Sequence, residues 1–360
     1  MGLFSFFKRK KSYLGVDIGT ATVKLVQLGK GKEKPKLEAY GELQAYGYLE
    51  RPNDAIQTSS LKMLDEDVAA MLRDLMKAAG VTAKRASMAV PVFSSFVTVM
   101  EMPLMSAKEL AAAIPYEAKQ YIPIPLSEVT LDYSILGTKT YQSQGGTAIS
   151  KSEILLVAVP NEVVNKYARI AELAKLQLDA LEIETFSLAR SLVGADKSAI
   201  LIIDIGTRAT NISVMSDGFI RFSHNLDLAG GEITKTIATA LNVDYRRAEE
   251  FKKTIGLGVS PEAAQIKKLI SPLIDMIVNE ADRLINEHYR KYNKKIERVI
   301  LSGGTANMAG LVDHLAQHFG VEVLKGNPFL KIEYPPVLEP AVKDLAPNFS
   351  VAIGLAMRGL

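Results

Sequence analysis

Asp17-Ile18-Gly19-Thr20 and Asp204-Ile205-Gly206-Thr207 are the same four residues written twice. Each follows an apolar run, Tyr13 to Val16 in the first case and Ser198 to Ile203 in the second, and each precedes another, around Val23 to Val26 and Asn211 to Met215. Strand, tight turn and returning strand is what this pattern makes. A phosphate needs backbone N–H groups it can approach closely, hence glycine, and its magnesium needs carboxylates acting directly or through water. One such turn is also an ordinary hairpin, because Asp and Gly are common turn residues. Two in corresponding places point to two related lobes whose turns face each other, with Asp17 and Asp204 converging on a metal and Thr20 and Thr207 adding hydroxyls.

Outward from the first turn, Val68, Met71, Leu72, Leu75, Met76 and Ala79 share one face of a helix over Asp65 to Ala79, and Gly80 supplies a left-handed stop. From Arg85 to Pro160 a compact unit is inserted: strand Ser95 to Met102, helix from Ser106, strand Val129 to Leu136, a loop, and strand Glu153 to Val159. Ser106 with Glu109 makes a capping box, and Pro115 should kink or split the helix. Tyr141 to Ser152 reads as a disordered loop. Helix Asn161 to Leu176, strand Ala180 to Ile183 and helix Thr185 to Leu192 close the first lobe.

The second lobe carries helices Glu232 to Leu241 and Tyr245 to Thr254, then a long one capped by Ser260 with Pro261 at its first position. Strand Glu297 to Leu301 opens into Ser302-Gly303-Gly304-Thr305-Ala306-Asn307, and helices Met308 to Phe319 and Asn348 to Leu360 follow. The fold class is α/β with two duplicated lobes. Residues 1–84 and 161–196 form the first lobe, 85–160 an inserted subdomain, 197–227 and 297–360 the second lobe, and 228–296 its helical insertion.

The composition suits a folded chain of this size: 360 residues, 48% hydrophobic and 23% charged. A net charge of +3 is too small for binding nucleic acid by neutralising phosphates. There is no cysteine, which excludes disulfides and thiolate metal sites and suits a reducing cytoplasm. No apolar run approaches the roughly 18 residues of a membrane-spanning helix. The leader Leu3-Phe4-Ser5-Phe6-Phe7 followed by Lys8 to Lys11 has its charge after the apolar run, the reverse of a signal peptide, and reads as a retained terminus, either solvated or touching an anionic surface.

The glycine pair Gly303-Gly304 leaves bare backbone at a strand end where a base or sugar can lie. With the two turns it makes a nucleotide cleft between lobes the leading reading. His314 and His318 have a metal-ligand spacing but no accompanying HExxH glutamate, and read as a solvated helix face. Arg283, Arg290, Lys291, Lys294, Lys295 and Arg298 form a basic stretch that reads as solvent-facing.

On these motifs the whole chain resembles the actin-like ATPase superfamily. The resemblance implies ATP and Mg2+ as cofactors. Asp17 to Lys24 resembles the first phosphate loop, with Gly19, Thr20 and Ala21 in it and Lys24 reaching the phosphates. Asp204 to Thr210 resembles the second, with Gly206, Thr207 and Arg208, and Gly230 and Gly231 belong to the same cofactor set. The resemblance implies that Asp17 and Asp204 hold magnesium through water and that Glu184 lies near the attacking water. Thr185 follows that acid where several hydrolysing relatives have proline, so binding is implied more firmly than turnover. Glu249 and Lys252 are similar to the pair flanking ribose and adenine, and Gly303, Gly304, Thr305 and Asn307 to the adenosine loop.

Within the superfamily the insertion resembles that of the FtsA and type IV pilus PilM families, PilM most nearly. The residues carrying this are Glu109-Leu110, Tyr116-Glu117-Ala118-Lys119-Gln120-Tyr121-Ile122-Pro123-Ile124-Pro125, Glu128, Asp132-Tyr133, the opening Gly2-Leu3-Phe4 and the ending Ala352 to Gly359. The resemblance implies a cytoplasmic, nucleotide-bound adaptor that grips the N-terminal cytoplasmic peptide of a PilN-like bitopic inner-membrane protein. Membrane association is then made in trans, with other pilus inner-membrane proteins and self-association as further contacts and no nucleic acid. Tyr116, Tyr121, Ile122 and Ile124 would offer apolar contacts, or serve as the subdomain's own core. An FtsA-like filament and an actin-fold small-molecule kinase are the alternatives.

Overall fold

The computed structural model describes residues 12–44, 63–142 and 148–360, so the Phe-rich leader and Gly2-Leu3-Phe4 lie outside the described residues. Strands β1 (Tyr13–Ile18), β2 (Thr22–Gly29) and β3 (Lys36–Gln44) form an antiparallel meander. Helix α1 (Asp65–Ala78) carries Asp65, Glu66 and Asp67 in its first turn and Lys77 in its last, which complements the helix dipole, and Gly80 follows at φ +69°. It leads to β4 (Arg85–Val90), parallel to β1.

The chain then leaves the lobe through a short turn, Val92–Ser94, into β5 (Phe96–Pro103), α2 (Ala107–Ala118), β6 (Val129–Gln142) and β7 (Ala148–Pro160), a three-stranded sheet in the order β5-β7-β6. Helix α3 (Asn161–Leu173) returns to β8 (Gln177–Ile183), which completes the first lobe's sheet as β3-β2-β1-β4-β8. Helix α4 (Glu184–Leu188) and a π-helical turn at Ala189–Val193 carry the chain across to the second lobe.

There β9 (Ile200–Ile205), β10 (Thr210–Ser216) and β11 (Phe219–Leu226) repeat the meander. Helices α5 (Gly230–Leu241), α6 (Tyr245–Thr254) and α7 (Pro261–Tyr292) follow, then β12 (Arg298–Ser302), α8 (Leu311–Phe319), β13 (Glu322–Lys325), α9 (Glu339–Leu345) and α10 (Ser350–Met357). The sheet order is β11-β10-β9-β12-β13, with β12 parallel to β9. Both sheets have the same order and the same strand directions, so the repeated tetrapeptide ends the central strand of each.

Each sheet buries its own aliphatic core: Leu14, Val16, Leu72 and Met88 in the first lobe, and Leu201, Ile203, Ile233 and Ile270 in the second. The inserted sheet has a separate core around Met100, Leu110, Ile114 and Ile154. Its other face brings Leu136 and Leu155 against Ile200, Ile202 and Ile220, so the insertion rests on the second lobe although it is threaded through the first. A buried Arg221–Glu153 pair at 2.9 Å lies at that interface, and Tyr292 donates to the same carboxylate at 3.0 Å.

Three local expectations change. Helix α2 runs unbroken through Pro115, because the carbonyl that proline leaves unpaired belongs to exposed Ala111 and reaches solvent. The capping box of Ser106 and Glu109 is present. The loop expected over Tyr141 to Ser152 is shorter: β6 runs to Gln142 and β7 starts at Ala148, and 143–147 lie outside the described residues. Alternating Thr, Ser and Tyr residues pair across a ladder there, so polarity marked exposure rather than absence of a strand. The helix expected from Met308 begins at Leu311, because Met308 is extended after a 3₁₀ turn at Gly304–Asn307.

Candidate functional site

Both repeated turns close in the same way. Gly19 N–H donates to the Thr22 carbonyl at 2.9 Å, and Gly206 N–H donates to the Ala209 carbonyl at 3.1 Å. Asp17 lies opposite Lys24 across the β1–β2 ladder, and Asp204 lies opposite Asn211 across β9–β10. Lys24 Nζ stands 3.9 Å from Asp17 Oδ2 and donates to Thr22 Oγ1 at 2.8 Å. Asn211 instead donates to Thr185 Oγ1 at 3.0 Å, so the two copies differ in charge. Thr20 and Thr207 sit half-buried at the turn tips, and Ala21 is buried.

The second turn is fastened to the start of α5. Gly230 N–H donates to the Gly206 carbonyl at 3.0 Å and Gly231 N–H to the Thr207 carbonyl at 2.8 Å. A Cβ on Gly230 would lie 2.2 Å from Thr305 Oγ1 and 3.1 Å from both the Gly206 carbonyl and Lys252 Nζ. A Cβ here would crowd the second turn, the glycine-pair loop and α6 at once. Lys252, 4% exposed, spends its ammonium on Glu249 Oε2 at 2.6 Å, Thr234 Oγ1 at 2.9 Å and the Gly230 carbonyl at 3.1 Å. Burial alone would lift the Glu249 carboxyl, but the Lys252 charge, hydrogen bonds from Lys252 and Thr234 and the Lys253 charge together hold it below its ordinary range.

Gly303 has φ +81°, and a Cβ there would come within 2.4 Å of the Ile205 carbonyl, so the glycine loop lies directly on the end of β9. Thr305 lies against the Gly230 position, Gly304 faces the Asn348 side chain, and Asn307 is turned elsewhere: its amide donates to the Asp344 carbonyl at 2.8 Å and accepts from Lys325 at 3.1 Å.

Acids from both lobes feel one another. Burial, then repulsion from Asp17 and Asp204, pushes Glu184 at the start of α4 well above the ordinary carboxylate range. Burial pushes Asp204 up to about 6, with repulsion from Asp17 added and the Ser302 hydrogen bond and Lys24 opposing. Asp17 is raised as well, by burial, against Lys24. Among the described residues no three His, Asp or Glu groups stand close enough to hold a metal by direct ligation alone. Lys24 is a counter-charge to all three acids. The set fits a cation carried on phosphate oxygens and held through water.

Tyr167 falls in the helix expected over Asn161 to Leu176. It is fully buried on α3, yet its hydroxyl has no hydrogen-bond partner, and Glu184 and Asp17 add to the burial that pushes its pKa well above the ordinary phenol range. Helical spacing carried the core role, and nothing in it marked the hydroxyl.

Arg208, at the tip of the second turn, has its guanidinium carbon 4.5 Å from the centre of the Phe93 ring. That stack walls a cavity of about 520 Å3 between edge strand β5 of the inserted sheet and edge strand β11 of the second lobe, lined by Phe93, Phe96, Tyr121, Ile122, Arg208 and Asp227 among others. Tyr121 is 44% exposed and Ile122 is 6% exposed, the latter also part of the insertion's core. Ile124 packs half-buried against that core, and Tyr116, 72% exposed, stands under Lys119. Neither lines the cavity.

His318 pairs with Asp282 at 2.8 Å, and in the basic stretch Arg283 pairs with Glu280, Lys291 with Glu153, Lys294 with Asp217 and Arg298 with Asp196. No helix among the described residues is long and apolar enough to cross a membrane.

Residues 15–360 match the family model described as type IV pilus assembly protein PilM. The cell division protein FtsA of Enterococcus hirae is 24% identical over 357 residues, covering 86% of this chain and 77% of FtsA. Among solved structures, the PilM-PilN type IV pilus biogenesis complex superposes with a TM-score of 0.80 at 24% identity, over 96% of this chain and 98% of that one. MreB5 of Spiroplasma citri bound to ADP reaches 0.51 at 13% identity, over 96% and 95%.

Proposed function

From the premise that the chain belongs to the type IV pilus assembly PilM family, with an actin-like fold related to FtsA, we propose that it is an ATP-binding scaffold whose nucleotide state sets its grip on a membrane partner. The partner is the N-terminal cytoplasmic tail of a PilN-like inner-membrane protein, so the membrane is reached in trans.

The observation that carries this reading is the meeting at Gly230, where a phosphate turn, the glycine-pair loop and the buried Lys252–Glu249 pair close on a space too tight for any Cβ. Magnesium bound with ATP would supply the positive charge that this acidic cleft lacks. Gly19 and Gly206 close the two turns with their own N–H groups, and the hydroxyls of Thr20 and Thr207 at the turn tips would donate to phosphate, Lys24 would neutralise it, and Asp17 and Asp204 would hold the metal through water. Glu249 and Lys252 shape the ribose side and Gly303-Gly304 the base side. Glu184 would accept a proton from water only where a nearby cation offset the burial and repulsion that raise its pKa, which fits weak turnover.

For the partner, the cavity between β5 and β11 offers two strand edges and aromatic walls, which suits an extended peptide with apolar anchors. The test is fluorescence anisotropy of a labelled peptide, the cytoplasmic N-terminus of the PilN-like protein encoded with this one, titrated with protein in ATP and in ADP. Saturable binding supports the scaffold. Absence of binding by folded, nucleotide-loaded protein moves the assignment to a filament-former or kinase.

A further inference from the structure

Three residues, Val92–Ser94, touch both the nucleotide cleft and the cavity. Val92 N–H donates to Glu184 Oε2 at 3.4 Å, a long bond to the acid that faces Asp17 and Asp204. Phe93 is stacked by Arg208 of the second phosphate turn and forms part of the cavity wall. Ser94 is buried with no partner for its hydroxyl, so the turn is not fully satisfied where it stands. Ser95 then leads straight into β5, whose residues Phe96, Val97 and Thr98 continue the same wall.

From this placement we infer that the Val92–Ser94 turn is a relay between bound nucleotide and the partner cavity, worked by competition for the Arg208 guanidinium between the Phe93 ring and the terminal phosphate. The inference rests on the nucleotide reading above and adds its regulation. A guanidinium makes stronger, charge-assisted and bidentate bonds to a phosphate than to an aromatic face. With a terminal phosphate present Arg208 leaves Phe93, and the ring and the start of β5 are free to repack. With that phosphate gone Arg208 returns to the ring and holds the wall as it stands here. Glu184 holds the other end of the turn through its bond from Val92 N–H.

The test uses the full chain and hydrogen exchange of the amides of 92–98 in saturating ATP, with magnesium, and in ADP, after calorimetry has shown that each nucleotide binds. The expected result is a change in exchange rate of about fivefold or more between the two nucleotides, and its loss in Phe93→Leu, which keeps the phosphate turns and the charge of Arg208 intact. Arg208→Gln should remove the same difference, and combining it with Phe93→Leu should remove nothing more. Equal exchange in ATP and ADP in the wild type, or an undiminished difference in Phe93→Leu, overturns the relay while leaving nucleotide binding in place. Failure of calorimetric binding overturns the nucleotide reading and the relay with it. The ratio of peptide affinities in ATP and ADP gives a second readout and should move to one in Phe93→Leu, whatever that substitution does to affinity itself.

Discussion

Lys24 faces Asp17 across the first repeated turn, and at the matching place in the second turn Asp204 faces the uncharged Asn211. The duplicated lobes therefore share a backbone but not the side chains around it: the lysine opposite the first aspartate has no counterpart opposite the second, and the second turn alone of the two is fastened to the start of α5.

If Lys24 is the cation that meets phosphate, Lys24→Met should weaken ATP binding by about tenfold or more, the loss of one charge-assisted hydrogen bond. Titration calorimetry reads the affinity, and circular dichroism should show an unchanged fold. Equal affinity would remove Lys24 from the site.

Asp204 is held at about 6 in the folded protein, above an unfolded carboxyl's value near 3.9. The folded state then binds more protons than the unfolded one between these values. Its contribution to stability is fully present below about pH 4 and is lost as pH rises through about 6. Asp204→Asn should accordingly stabilise the nucleotide-free protein at pH 7.5 by about 2 kcal/mol, with the advantage gone near pH 4, while Mg-ATP binding is lost. Thermal melts at several pH values check the sign, and a less stable variant at neutral pH contradicts it.

Glu182 is nearly buried and accepts from Arg190 Nη1 at 2.7 Å, Arg190 Nη2 at 2.8 Å and Ser187 Oγ at 2.6 Å, with Arg358 as a further partner. Since Arg190 also donates to the Gly354 carbonyl at 2.7 Å, the carboxylate ties the interlobe turn to α10. Glu182→Ala should cost about 3 kcal/mol, because it strands the partly buried Arg190. Urea unfolding measures this, and a change under about 0.5 kcal/mol would mean the cluster is solvent-screened.

Gly303→Ala places a methyl group against the Ile205 carbonyl at a positive φ. The loop must shift, so the variant should lose several degrees in Tm and most of its ATP affinity together. Loss of stability with full ATP affinity would separate this loop from the nucleotide.

Local chemistry alone made much of this legible. Repetition of Asp-Ile-Gly-Thr after an apolar strand marked both turns, Ser260-Pro261 marked the start of α7, and Ser106 with Glu109 marked the start of α2. In each case neighbours in sequence make the hydrogen bonds concerned. The glycine pair at the end of β12 was legible as a strand-to-helix loop, but its place on the end of β9 was not, and Asn307, equally close in sequence, was drawn away by Asp344 and Lys325.

What the sequence by itself determined is the pair of lobes and the matching turn in each, since strand periodicity and turn chemistry act over a few residues. Only the tertiary structure decided that the insertion packs on the opposite lobe, that Arg208 rests on Phe93, that the Tyr167 hydroxyl is stranded and that a cavity opens between β5 and β11. These depend on which surfaces meet once the strands are paired, and apolar burial and cation–π attraction carry no address along the chain.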